Sequence, residues 1–287
     1  MEGSAAPRSA LDRAYVVGFA VVAATQVVAV VVQIATGEPV VVPTVLSTAL
    51  ILACMLRIHG LRGSLTFIGL VVAIPLGSEF LGVLTGIPYG RYEYVATPGP
   101  LIFGMVPAFI LIAWINIAYL SIATTTVVLG RSSVWLAPVD GLIAVAWDMT
   151  VDPLAVRSGF WAWIPAGPFD GVPWSNFLGW FIVVTVLSLV VRVAWSRDLR
   201  APRNASRVTM ALLPAMLLAS EIQYATLAIA AGLIPGAAIG LAAILSVVFF
   251  ARGRVRAIPR ERVTPSPWVQ PGLGLRRRGA DRVAGRP

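Results

Sequence analysis

A chain of 287 residues that is 58% hydrophobic and only 12% charged is not an ordinary soluble domain, for which about 45–50% and about 25% are usual. Its main solvent must be lipid, and no polar stretch is long enough to form a separate soluble domain. The net charge is +9 and all 22 basic residues are arginines, a distribution that reads better as a topology signal than as a nucleic-acid surface.

Apolar windows predict an all-α, polytopic transmembrane bundle of about eight spans. A short N-terminal segment, 1–13, precedes the first span at Ala14–Ala35, which is too long for a signal-peptide core and lacks a cleavage context. The second, Val40–Leu56, holds the single Cys54, so neither an internal disulfide nor a Cys-based metal site can form. The only histidine, His59, falls between Arg57 and Arg62 and reads as a solvated loop residue without partner ligands. The third span, Ser64–Leu84, contains Glu79 and leads into the loop Ile87-Pro88-Tyr89-Gly90-Arg91-Tyr92-Glu93-Tyr94. The fourth is Gly99–Thr124 and the fifth Leu136–Val151, where Asp140 and Asp148 lower the hydropathy and Asp152 stands at the end.

A second large loop runs from Asp152-Pro153 through Phe160-Trp161-Ala162-Trp163 to Gly171-Val172-Pro173-Trp174-Ser175-Asn176. The remaining spans are Asn176–Trp195, Val208–Ala231 (with Glu221) and Pro235–Ala251. Small residues at Gly82/Gly86 and Gly236/Gly240 read as close helix contacts. The tail, 252–287, reads as an orientation signal with a disordered end. Its Arg276, Arg277 and Arg278 would suit anionic lipid headgroups, the less favoured alternative, and it is too short and too poor in aromatics to bind nucleic acid.

An even number of spans puts both termini on one side. All arginines but Arg91 and Arg157 then fall on that side. The positive-inside rule makes it the cytoplasm of a multi-pass protein in the cell membrane. Glu79, Asp148 and Asp152 are placed in the outer half, Glu221 near the middle and Asp140 near the inner face. A central acid costs about 2.5–3.5 kcal/mol to insert, no arginine is placed deep enough to pair with these, and intramembrane acids are functional candidates by default. On the fifth helix Asp148 and Asp152 share a face within about 40°. The two loops are denser in Tyr, Trp, Gly and Pro than an interfacial belt requires, which favours ordered turns around a site.

These residues resemble the membrane carotenoid hydratases, a family that includes γ-carotene 1′,2′-hydratases and bisanhydrobacterioruberin hydratases. The first signature is Glu79, then Pro88-Tyr89-Gly90 with Tyr92 and Tyr94. The second is Trp147-Asp148-Met149 with Asp152-Pro153. The third is Gly159-Phe160-Trp161 and Trp163. The fourth is Gly167, Gly171-Val172-Pro173, Asn176-Phe177 and Gly179-Trp180. The resemblance covers residues 75–185. Asp170 replaces an expected aromatic, and Asp140 and Glu221 belong to no signature.

The resemblance implies addition of water to the terminal isopropylidene double bond of an acyclic or monocyclic carotenoid, giving a tertiary alcohol. An alkene is a poor base, so protonation calls for a carboxylic acid enclosed in a dry site. Asp148 or Glu79 is then the expected donor, with Asp152 orienting the donor or the water. Tyr89, Tyr92, Tyr94, Trp147, Trp161, Trp163 and Asn176 are expected to hold the chain end, aromatic faces stabilising a cation by roughly 0.5–2 kcal/mol each. No cofactor is implied, since there is no Gly-rich nucleotide loop, His cluster or Cys pair. The partners implied are the carotenoid, water and membrane lipid. A prenyltransferase or carotenoid elongase that makes the polyene would fit but leaves no mark in the sequence. The rival readings are a carotenoid cyclase or isomerase that starts from the same protonation, a proton-coupled transporter, and a scaffold protein.

Overall fold

Apolar runs in lipid must satisfy their backbone hydrogen bonds internally, which leaves helices as the economical solution for this sequence. The computed structural model describes residues 5–96, 99–197 and 206–256, so the basic tail beyond Arg256 lies outside the described residues. Its helices are α1 (Ala5–Thr36), α2 (Val42–Val71), α3 (Gly77–Thr85), α4 (Ala108–Leu129), α5 (Ala137–Arg157), α6 (Trp174–Arg197), α7 (Arg207–Ala230) and α8 (Ile234–Arg256). A π-helical turn, Val72–Leu76, joins α2 to α3, and a 3₁₀ turn, Val134–Leu136, leads into α5. The chain is a multi-span membrane protein of the all-α class.

Seven helical stretches among the described residues are long and apolar enough to cross a bilayer. One of them, Val42–Thr85, has 44 residues and takes in two of the eight expected spans. Its backbone is non-helical at Gly60, with φ 70° and ψ 179°. In a straight helix Thr44 and Glu79 would stand about 50 Å apart, yet both line one cavity. The chain therefore reverses at Gly60, and 42–59 and 61–85 run antiparallel, each long enough for a bilayer core of about 30 Å.

The start of α1 meets this reversal. Asp12 pairs with Arg57 at 2.8 Å, and the Tyr15 hydroxyl donates to the Ala53 carbonyl at 2.9 Å. The indole of Trp195, late in α6, donates to the Gly63 carbonyl at 3.2 Å. These contacts define one end of the bundle; Glu79, Asp152 and the two large loops form the other.

Helix α4 is apolar all round and sits at the centre of the bundle, with Trp114, Tyr119 and Ile122 fully enclosed. Helix α5 packs against α4, α6, α7 and α8. In contrast, α1 leaves Val17, Val27, Val28 and Val31 exposed, the pattern of a lipid-facing helix.

Several boundaries differ from the sequence expectation. Helix α5 continues to Arg157, so Asp152 and Pro153 are helical rather than the start of a loop. The fourth span begins at Ala108, because Leu101–Ile102 (β2) and Val106–Pro107 (β3) pair as a small hairpin before it. His59 is not solvated: it is 2% exposed and stacks on Trp195 at 3.7 Å between ring centroids. The nearest neighbours of Gly82 and Gly86 are residues of the following loop and strand, not another helix. Gly82 lies under the Tyr89 and Tyr92 rings, and Gly86 caps α3 at φ 81°, a conformation that suits glycine. Gly236 and Gly240 do bring α8 close against α5.

Candidate active site

Three local irregularities aim the site residues. Pro75 cannot supply a helical N–H, and the chain passes it as a π-helical turn before Glu79. Ser78 ties this turn to the following loop, donating to the Pro75 carbonyl at 2.6 Å and meeting the Tyr89 hydroxyl at 2.6 Å. On α5, Pro153 leaves the Met149 carbonyl without its helical donor. Gly236 of α8 lies directly against that carbonyl, with no room for a Cβ, so the break is covered by protein rather than lipid.

The third irregularity joins the loops. Tyr92–Tyr94 (β1) pairs antiparallel with Trp161–Trp163 (β4), in the register Tyr92↔Trp163, Glu93↔Ala162 and Tyr94↔Trp161. Strand side chains alternate, so Tyr92, Tyr94, Trp161 and Trp163 turn inward while Glu93 is exposed. The Trp163 indole donates to the Tyr89 carbonyl at 3.0 Å, locking the ribbon over the loop. A Cβ on Gly179 would stand 2.7 Å from the Tyr89 ring and one on Gly82 2.9 Å, so these two glycines admit the ring between α3 and α6. Asp170, at φ 48°, and Gly171, at φ 91°, form the centre of a tight turn closed by Phe169 and Val172. An aspartate is well suited to that position, which accounts for the departure noted in the fourth signature.

The result is a cavity of about 1090 Å³, its open mouth included. Glu79, Tyr89, Tyr92, Tyr94, Trp147, Asp152, Trp161, Trp163 and Asn176 all line it. Asp148 is the one expected site residue that does not. It is 0% exposed and lies behind the wall. Asn176 connects the layers: its Nδ2 donates to Asp148 Oδ2 at 2.9 Å and to Asp152 Oδ2 at 2.5 Å. The remaining oxygen of Asp148, Oδ1, is buried without a hydrogen-bond partner among the described residues.

Glu79 is held differently. Tyr92 and Tyr94 donate to its Oε2 at 2.6 and 2.7 Å, and the Trp114 indole donates to Oε1 at 2.9 Å. Burial, and then the Glu79 carboxyl, push both phenols above their ordinary value, so both remain donors. Three donors on one carboxyl favour its charged form, while its burial opposes it.

Sequence reasoning missed part of the wall. Trp114 and Trp180 stack with ring centroids 4.0 Å apart, and Tyr224 meets Trp147 edge-on at 5.5 Å. All four line the cavity. Trp114 and Tyr224 lie within spans and outside the four signatures, whereas Trp180 stands in the fourth signature but not among the residues expected to hold the chain end. Among the described residues, no group of three or more His, Cys, Asp and Glu side chains is placed to hold a metal ion.

The expectation that no arginine lies deep enough to pair with an acid is overturned by Arg192, which is 1% exposed. Its Nη2 meets Asp140 Oδ2 at 2.7 Å, and Thr125 and Ser188 also donate to Asp140. The other guanidinium donors reach Thr126, Ser132 and the Ile122 carbonyl. Counting arginines by loop placed Arg192 at a span end, but α6 runs on past it to Arg197. Glu221 accepts from Thr150 at 2.8 Å, close to Gly240, and lies apart from the cavity wall.

Residues 39–247 match the family described as carotenoid biosynthesis protein. The chain is also 32% identical over 124 residues to a bisanhydrobacterioruberin hydratase from Haloarcula japonica. That match spans 42% of this chain and 42% of the relative, well short of the relative's full length. No solved structure matches the chain. The family match reaches from the loop before α2 into α8 and so includes every wall of the cavity but the one supplied by α1, and with it the resemblance read from the four signatures holds: the chain belongs to the carotenoid biosynthesis protein family.

Proposed function

We propose that the protein is a cofactor-independent carotenoid hydratase, adding water to the terminal isopropylidene double bond of a long polyene. One observation carries the reading. Asp152 opens onto an aromatic cavity while Asp148 backs it through Asn176. Two carboxyls bridged by a single amide nitrogen are too close for both to be charged comfortably, and a shared proton relieves that. Asp152 is then the donor and Asp148 a positioning residue, which reverses the order expected from the sequence.

The proton goes from Asp152 to the less substituted alkene carbon, and the π pair forms the new C–H bond. The tertiary cation left behind faces Tyr89, Trp147, Trp161 and Trp180, each aromatic face contributing roughly 0.5–2 kcal/mol. Glu79, held by three donors on the same wall, supplies the balancing negative charge. Water forms the C–O bond, and its released proton returns to the aspartate pair. The homologue's printed activity and the family match agree with this chemistry. The arginine pattern argues for a site on the non-cytoplasmic side. Apart from Arg91 and Arg157, the arginines of the described residues cluster toward the opposite end of the bundle.

The test is expression in cells that make acyclic or monocyclic carotenoids, with pigments read by mass. Hydration adds the mass of one water at each end modified. A product of unchanged mass would instead mark a cyclase or isomerase, and an unaltered pigment profile across all substrates would remove the enzymatic reading.

A further inference from the structure

Behind the wall formed by Trp147 and Tyr224 lies a smaller recess of about 430 Å³, openings included. Thr44, Trp147, Gln223 and Tyr224 line both spaces. The two differ in character. Around the donor the main cavity presents rings, whereas the recess presents Gln26 from α1, Ser47 from α2, Asn116 from α4 and Ser220 from α7. Gln26, Ser47 and Gln223 are all buried. Amides and hydroxyls enclosed among membrane helices are costly unless something hydrogen-bonds them. A buried water needs two to four polar partners and a space of its own size, and the recess offers both.

We propose that this recess is a water site that delivers the nucleophile to the cation along the polar seam of Thr44 and Gln223. The proposal rests on the hydration reading and deepens it. Each turnover consumes one water: its oxygen forms the C–O bond, one O–H bond breaks, and that proton returns to the aspartate pair. A cation formed among rings with no water at hand loses a proton instead and becomes an alkene again. The recess therefore governs the partition between capture and proton loss, while Asp152 governs whether a cation forms at all.

The partition is measurable in D2O. Membranes containing the full chain, Gln223→Leu, Ser47→Val or the smaller change Ser47→Ala are incubated with an acyclic carotenoid. Alcohol formation is followed alongside deuterium gained in the terminal isopropylidene group of recovered alkene, first at its less substituted double-bond carbon. The wild type should give alcohol with little exchange. In Gln223→Leu and Ser47→Val the ratio of exchange to hydration should rise about tenfold, the effect of losing one or two hydrogen bonds to water, with a smaller rise in Ser47→Ala. An unchanged ratio overturns the proposal. So does a parallel fall of exchange and hydration, which would assign the recess to folding or to protonation. A wild type that gives neither alcohol nor exchange fails the hydration reading itself, a result distinct from either.

Discussion

The two ends of α5 carry the same residue type at the same depth of burial and use it in opposite ways. Asp140 is 0% exposed, as is Asp148, and Asp152 is 4% exposed. At the Asp140 end both carboxylate oxygens are matched: Arg192, Thr125 and Ser188 converge on one carboxylate, and the guanidinium's other donors are also taken. At the Asp152 end one amide serves two carboxyls, one oxygen of Asp148 has no partner among the described residues, and the wall opens onto a cavity. Burial of an acid in a membrane bundle therefore does not by itself mark function. The partner set does: a saturated acid holds helices together, and an unsaturated one facing a cavity is free to exchange a proton.

The sharpest way to break this contrast is to neutralise each end in turn. Asp152→Asn should lower hydration by about 10²–10⁴-fold, the usual worth of a general acid, while the purified protein keeps its melting temperature in detergent. Asp140→Asn should do the reverse. It strands a buried guanidinium, which costs about 3–5 kcal/mol of stability, seen as lost yield and a lower Tm, with turnover per folded molecule retained. Replacing both partners, Asp140→Leu with Arg192→Met, should recover most of that stability, since an apolar pair of similar volume is often as good as a buried ion pair. Normal hydration by Asp152→Asn would sink the assignment of the donor.

A second comparison lies within the cavity, between the acid proposed to give the proton and the acid that is held by donors. Tyr92→Phe or Tyr94→Phe removes one hydrogen bond to Glu79, worth about 1.5–3 kcal/mol if the acceptor is charged. Each should cut the hydration rate about tenfold or somewhat more, read as initial rates of alcohol formation, without the loss of fold expected at Asp140. If the phenylalanine variants keep the wild-type rate, Glu79 is not balancing a cation.

Much of the site was legible because the sequence breaks the rule of its solvent. Glu79, Asp148, Asp152 and the Tyr- and Trp-rich loops stand out against lipid, and the structure gathers them round one cavity, Asp148 one layer behind. The residues that escaped notice obey that rule. Trp114 and Tyr224 are apolar-bodied side chains in helices, indistinguishable in sequence from packing, and Trp180 stands in the fourth signature with no role attached to it. The β1–β4 ribbon alternates for only three residues on each side, too few for periodicity to detect. Arg192 and His59 were misplaced for different reasons: the expected second span stops at Leu56, before His59, whereas Arg192 falls inside the expected sixth span and was counted with the loop arginines; each turns inward to a buried partner, Asp140 in one case and Trp195 in the other.

Glu221 is the smallest and most discriminating test. It is 0% exposed like Asp140, yet only Oε1 has a partner, Thr150, and Oε2 is buried without one among the described residues. By partner set alone it resembles Asp148, and like Asp148 it does not line the cavity, but its hydrogen bond goes to Thr150 rather than to the Asn176 that ties Asp148 to the cavity-facing Asp152. If both an unsaturated carboxyl and access to the cavity are needed, Glu221→Gln should leave hydration within about twofold. The amide can still accept from Thr150, and it replaces a buried carboxyl with a neutral group of the same shape, so stability should hold or rise by about 1 kcal/mol. Rates and melting curves for the one variant decide the matter. A folded Glu221→Gln protein that no longer hydrates would mean that the α7–α8 side of α5 carries protons to the aspartate pair, and that access to the cavity is not what separates the working acids from the structural ones.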